Sequence, residues 1–262
     1  MLKIENVHKT FFAGTANEKV ALSGVNLTLN DGDFVTVIGS NGAGKSTLLN
    51  AIAGAFPVDE GTIEIDGVNV TKMPEYKRAK FIGRVFQDPM KGTAGGMMII
   101  ENLAIALRRG KRPGLAWSEK KSETEQFREL VAQLGLGLED RLTAHVGLLS
   151  GGQRQAITLL MATLVRPQLL LLDEHTAALD PKTAEKVLEI TNRIVTEQQL
   201  TTLMITHNMR DALRFGNRLI MMHNGAPIVD VAGEEKARLT PQDLLSYFEK
   251  AAGEVSDKMM LG

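Results

Sequence analysis

Apolar and polar residues alternate over Leu2–Val7 and again over Val25–Leu29, the period-two spacing of half-buried strands. The second of these runs into the turn Asn30-Asp31-Gly32-Asp33 and then the apolar stretch Phe34-Val35-Thr36-Val37-Ile38. Gly61–Ile65, turning at Asp66-Gly67, and Phe81–Phe86, ending at Gln87-Asp88-Pro89, predict further strands. The period then changes. Ile99–Arg108 and Ser118–Leu134 carry helical spacing, separated by the basic loop Arg108-Arg109-Gly110-Lys111-Arg112-Pro113-Gly114. From Gly151 onward helices and strands alternate: a helix to Val165, a strand Leu169–Leu172, a helix Pro181–Glu197, a strand Thr201–Thr206, a short helix Asn208–Arg214 and a strand Arg218–Met222. That alternation predicts right-handed crossovers and a mostly parallel sheet, an α/β fold. Asp180 before Pro181 is a cap and first-turn pair, and Thr240-Pro241-Gln242-Asp243 opens the last helix in the same way. Beyond Gly253 a short, loosely ordered tail is expected.

Between the run Phe34–Ile38 and the helical stretch containing Leu48, Leu49 and Ile52 stands Gly39-Ser40-Asn41-Gly42-Ala43-Gly44-Lys45-Ser46, followed by Thr47. This is the phosphate-binding pattern G-x-x-x-x-G-K-S with a strand before it and a helix after it. A triphosphate needs several N–H donors converging on its oxygens. Glycines permit the tight curl this demands, and the following helix adds its dipole. Lys45 is of a length to reach the β- and γ-phosphates, and Ser46 offers a hydroxyl to magnesium. A nucleoside triphosphate with Mg2+ is the expected ligand pair; the family resemblance given below makes it ATP.

Composition bounds the setting. With 262 residues, 44% of them hydrophobic, the chain is long enough to bury a large core. A formal net charge of −1 supplies no global field toward nucleic acid or anionic lipid. Zero cysteines exclude disulfides and thiolate metal sites. Met1–Asn6 does not resemble a signal peptide, and the most apolar stretches fall short of the ~20 residues that span a bilayer.

Two further segments carry chemistry. Leu169-Leu170-Leu171-Leu172-Asp173-Glu174 is a buried strand delivering two acids to the carboxyl edge of a parallel sheet, where ligands bind. Asp173 is then suited to magnesium, and Glu174 to polarising an attacking water. Leu149-Ser150-Gly151-Gly152-Gln153 opens a helix and makes a second anion-binding N-terminus. Two copies paired head to tail give that second cradle a use, each presenting it to the γ-phosphate held by the other.

The set resembles the ATP-binding cassette (ABC) family over roughly residues 1 to 230. The matching segments, in family order, are GSNGAGKS at 39–46, Gln87, LSGGQ at 149–153, LLLLDE at 169–174, Ala178-Leu179-Asp180 and His207. The resemblance implies a P-loop NTPase (RecA-like) core with an N-terminal antiparallel β subdomain and an inserted helical subdomain. It implies an ATPase domain over 1–235, the helical insertion at about 88–155, and a short C-terminal helical tail over 236–262. Gln87 would contact magnesium and the attacking water, His207 would bond the γ-phosphate and orient Glu174, and Asp180 would span a dimer interface. The adenine-stacking aromatic corresponds to Phe11, with Phe12 competing for the role. His175 stands where many members have proline, and is expected to be an outward-facing loop side chain. Lys91–Met98, rich in Gly and Met, falls where the family docks its membrane partner, or is a flexible surface loop.

Within that family the chain carries one cassette, where translation-type members carry two. The stretch between Lys45 and Ser150 has no room for the long coiled coils of chromosome-type members, and no membrane domain is fused to it. The resemblance therefore implies the free-standing ATP-binding subunit of a multi-subunit importer at the cytoplasmic face of the cell membrane. It would work as a homodimer, or paired with a second cassette, with integral membrane permease subunits and a substrate-binding protein, and without nucleic acid. The runs FQDPMKGTAGGMMIIENLAIALRRGKRPGL and LLLDEHTAALDPKTAEKV are similar to a bacterial amino-acid-type importer group, with aromatic amino acids among the implied cargoes. Arg108–Arg112 is expected to be a solvated loop, with lipid head groups as the alternative contact.

Overall fold

In the computed structural model, which describes residues 1–111 and 121–260, the first elements are β1 (Leu2–Phe11), β2 (Lys19–Leu29), β3 (Phe34–Gly39), α1 (Lys45–Ala53), β4 (Glu60–Ile65) and β5 (Val68–Asn69). There follow α2 (Glu75–Arg78), β6 (Ile82–Val85), α3 (Ile99–Leu107), α4 (Lys121–Ala132), α5 (Gly151–Leu164), β7 (Leu169–Asp173) and α6 (Pro181–Glu197). The chain closes with β8 (Thr202–Ile205), α7 (Met209–Arg214), β9 (Arg218–His223), β10 (Ala226–Ala232), α8 (Gly233–Arg238) and α9 (Pro241–Met260). Arg112, Pro113 and Gly114 of the basic loop, and Ser118 at the predicted start of α4, lie outside the described residues. Two units emerge, Met1–Glu75 with Thr201–Gly262, and Tyr76–Leu200.

In the first unit β1 runs antiparallel to β2 on one side and β4 on the other, placing Leu2 opposite Leu29 and Ile65, and Ile4 opposite Leu27 and Ile63. The alternation read from the sequence is the reason: all six side chains point to one face and are buried. β3 lies between β8 and β9, parallel to both, and β10 adds an antiparallel edge to β9. Thr36, the polar residue in the apolar run, is fully buried, and its hydroxyl donates to the Ala212 carbonyl at 2.8 Å. β10 and α8 have no counterpart in the sequence prediction. Pro227 stands inside β10, where it is tolerated because β10 pairs with β9 on one side only.

α9 continues past Gly253 to Met260, where a loosely ordered tail was expected. Helix formers flank that glycine, Ala251-Ala252 before and Glu254 after, and a single glycine costs only about 1 kcal/mol. Leu244, Tyr247 and Phe248 of α9 pack with Ile38, Leu219 and Met221, so the tail backs the strand that enters the phosphate loop. Buried Lys236 donates its ammonium to the carbonyls of Phe215 and Gly216, closing the C-terminal end of α7, and burial pushes its pKa down to about 8.

In the second unit β6 and β7 pair in parallel, Ile82 beside Leu169 and Val85 beside Leu172, and Leu169–Leu172 are all buried. The Gly- and Met-rich segment 91–98 is tied down. Asn102, itself buried, bonds both the N–H and the carbonyl of Ala94, while Val146 N–H donates to Met97 and Gly147 N–H to Gly95. That segment is an ordered surface. Nor is the basic loop wholly solvated: the Arg109 guanidinium donates to the carbonyls of Ala162 (2.8 Å) and Val165, capping the end of α5.

Candidate nucleotide site

The phosphate loop joins β3 to α1 and belongs to the first unit. Gly44 takes φ 99°, and a Cβ there would come within 2.5 Å of the Ala21 carbonyl, so no other residue fits. α1 begins at Lys45 with no side-chain cap and no acidic residue in its first turn. A helix that starts on a glycine, with no capping side chain or acid in the way, has the form of an anion-binding N-terminus. Ser40, Asn41, Gly42 and Ser46 are exposed along this loop, Gly39 and Thr47 half-buried, and Ala43 buried. Lys45 is buried, and its ammonium donates to the loop's own carbonyls at Gly39 (2.8 Å) and Ser40 (3.2 Å). The loop thus fits a triphosphate: a bent backbone, a helix start on glycine, and an ammonium folded back onto the loop. Lys19, which no pattern singled out, brings its Nζ to 3.6 Å from where a Cβ on Gly42 would stand.

Phe11, at the end of β1, is half-buried, and Phe12 beside it is 69% exposed. Phe11 meets Phe56 edge to face, with centroids 5.2 Å apart, and the Lys9 ammonium lies 5.5 Å from the Phe11 centroid. Asp59 clamps the same strand end, accepting from Lys9 Nζ (2.7 Å) and from the Thr10 N–H (2.6 Å); the Lys9 bond first, then the Thr10 bond, hold its carboxyl below the usual range. Phe56 and Asp59 both follow α1, so the base-stacking candidate is fixed to the phosphate-loop helix. Sequence reasoning missed both residues, because neither belongs to a periodic run. His207 is exposed just after β8, and Asn208 next to it caps α7, accepting from Arg210 N–H at 2.9 Å.

The remaining candidates stand in the second unit. Gln87 is exposed two residues beyond β6. The carbonyl just before it, of Phe86, accepts a 2.8 Å hydrogen bond from the side chain of fully buried Gln155 on α5. Asp173 ends β7 half-buried, 3.7 Å from the Arg84 guanidinium, which also lies over the Phe86 ring at 4.5 Å. Glu174 follows with φ 44°, a left-handed conformation that costs a non-glycine residue of order 1 kcal/mol. Asp180 is the cap of α6, accepting from Thr183 N–H at 3.1 Å, and these bonds with Thr183 lower its pKa. Ser150 and Gln153 form a reciprocal capping box at the start of α5, with bonds of 3.3 and 3.2 Å. Gly152 has a packing reason as well, since a Cβ there would lie 2.0 Å from Thr183 Cγ2 on α6.

His175 overturns its expectation. It is 1% exposed rather than outward-facing, and its Nε2 lies 3.0 Å from Thr191 Oγ1 on α6. Burial lowers its pKa to about 4, so the imidazole is neutral near pH 7.

A family model described as ABC transporter matches residues 22–177. A tyrosine transport ATP-binding protein of Clostridioides difficile is 45% identical over 96% of this chain and 100% of its own length. A methionine import ATP-binding protein of Enterococcus faecalis is 35% identical over 86% of this chain, which spans 63% of that protein. Among solved structures, the dimeric post-hydrolysis state of the ATP-binding cassette MJ0796 bound to ADP and Pi is 30% identical with a TM-score of 0.76, covering 92% of this chain and all of that one.

Proposed function

The chain belongs to the ABC transporter family and is an ATP hydrolase of that family, and from this premise we propose that it energises import of a small amino-acid-type solute. The observation that carries the ATPase half is the tight glycine turn into α1, with the Lys45 ammonium folded back onto the carbonyls of Gly39 and Ser40. Lys45 compensates phosphate charge, the loop N–H groups bond phosphate oxygens, and Phe11 stacks on the adenine. Ser46 and Asp173 offer a hydroxyl and a carboxylate, the hard oxygen donors that magnesium takes, and Gln87 adds an amide oxygen. The ion would neutralise charge on the phosphates. Glu174 takes the proton of a water whose oxygen attacks the γ-phosphorus; the bond to the leaving oxygen breaks, giving ADP and phosphate. His207 donates to the γ-phosphate.

Ser150–Gln153 and Asp180 act across a dimer, where each copy offers the start of α5 to the nucleotide of the other. Among the described residues no helix is long and apolar enough to cross a membrane; in our reading separate permease subunits form the passage. The protein would then sit at the cytoplasmic face of the membrane with those permeases and a substrate-binding protein. The 45% likeness to a tyrosine transport subunit favours an amino-acid cargo, and the ordered Gly- and Met-rich segment 91–98 offers the permease a fixed surface.

Affinity purification of the tagged protein from membranes in mild detergent tests the transport role. A polytopic permease is expected to accompany it, and amino-acid binding by the associated capture protein supports the cargo. Recovery with ribosomes or DNA, without a permease, contradicts it.

A further inference from the structure

His175 is the first residue after Glu174, and its side chain turns inward under the segment that joins β7 to α6. That segment is a tight turn, with Ala177 N–H bonded to the Glu174 carbonyl (2.9 Å) and Leu179 N–H to the Thr176 carbonyl (3.1 Å). The bond between His175 and Thr191 has a defined direction. The Thr191 hydroxyl has one proton, which it gives to the Val187 carbonyl at 2.8 Å, so the imidazole must donate through Nε2–H. Nδ1 is then the unprotonated nitrogen. Both partners are buried at 1% exposure, where a hydrogen bond left unmade costs the full desolvation of the orphaned group.

The turn is thereby held to α6 at two points. Asp180 caps the first turn of the helix, and His175 grips Thr191 three turns further along. Glu174 lies directly before the second anchor, in a left-handed conformation that must be maintained by its surroundings. We infer that His175 is a positioning residue for Glu174: its hydrogen bond to Thr191 holds the strained turn so that the carboxylate keeps one orientation. The role rests on Glu174 being the general base. Residues of the phosphate loop belong to the other unit and contribute to ATP binding separately.

The test is steady-state ATPase kinetics with nucleotide affinity and thermal unfolding on four single variants of the full chain. Thr191→Val keeps the volume and removes the acceptor, Thr191→Ser keeps the hydroxyl, His175→Leu removes the donor, and Glu174→Gln reports on the base itself. Thr191→Val and His175→Leu should lower kcat about tenfold or more while KM for ATP stays unchanged, the signature of a mispositioned base. Thr191→Ser should retain the wild-type kcat. If Glu174→Gln loses turnover but Thr191→Val keeps its kcat with only a lowered Tm, the hydrogen bond is merely structural and this inference is overturned. If Glu174→Gln still turns over, the assignment of the base fails first. Thr191→Val is nearly isosteric with threonine and Thr191→Ser removes only one methyl, so the comparison survives even if His175→Leu does not fold.

Discussion

Adjacent aromatics at the end of β1 differ in what holds them. Phe11 is braced by the edge of Phe56, while Phe12 is exposed at φ 55°. Stacking energy depends on a ring being in place before the base arrives, so bracing favours Phe11. Phe11→Ala is expected to weaken ATP binding by about 1–3 kcal/mol, and Phe12→Ala to leave it unchanged, in a fluorescent-nucleotide titration. A larger loss for Phe12→Ala reverses the assignment. The family resemblance pointed to Phe11 with Phe12 in competition, and the brace that separates them was not readable, because it comes from residues far along the chain. His175 shows the same limit at its sharpest. Its neighbours Asp173 and Glu174 were legible as strand-end acids, whereas a turn residue's direction depends on the helix packed beneath it. Thr191 and His175 are 16 positions apart, with no shared periodicity to connect them.

Among the elements, β3, β7, α5, α6 and β8 were legible because each is a long apolar or periodic run bounded by turn residues or a cap. β10 and α8 were hidden by a proline inside the strand and a short, charged helix. The signature segment was legible in part. Ser150-Gly151-Gly152 reads as an anion-binding helix start, but Gly152 also admits the close approach of α6, which only the tertiary arrangement reveals. Gly152→Ala should therefore destabilise the protein by about 1–3 kcal/mol through overpacking against Thr183 Cγ2, measured by chemical denaturation. Thr183→Ser removes that methyl and keeps the hydroxyl. In the double variant most of the loss should return, giving a coupling term between the two sites. Additive losses would mean that the glycine serves something other than helix contact.

For the molecule as a whole, the α/β cassette and its family were legible from the ordered set of segments between Gly39 and His207, and the comparisons bear that out. The association of copies is an expectation drawn from the second anion-binding helix start, and it is the centre of the proposed mechanism. The absence of cysteine from the sequence makes it directly testable, since any thiol introduced is unique. Asn41 on the phosphate loop and Leu148 just before the signature are both exposed and suited to substitution. Asn41→Cys and Leu148→Cys proteins, each also carrying Glu174→Gln to preserve bound ATP, are mixed with a short bifunctional thiol reagent. A crosslinked species joining the two proteins, formed only in the mixture and only with ATP, is predicted. Monomers alone, with ATP bound, would contradict the head-to-tail arrangement.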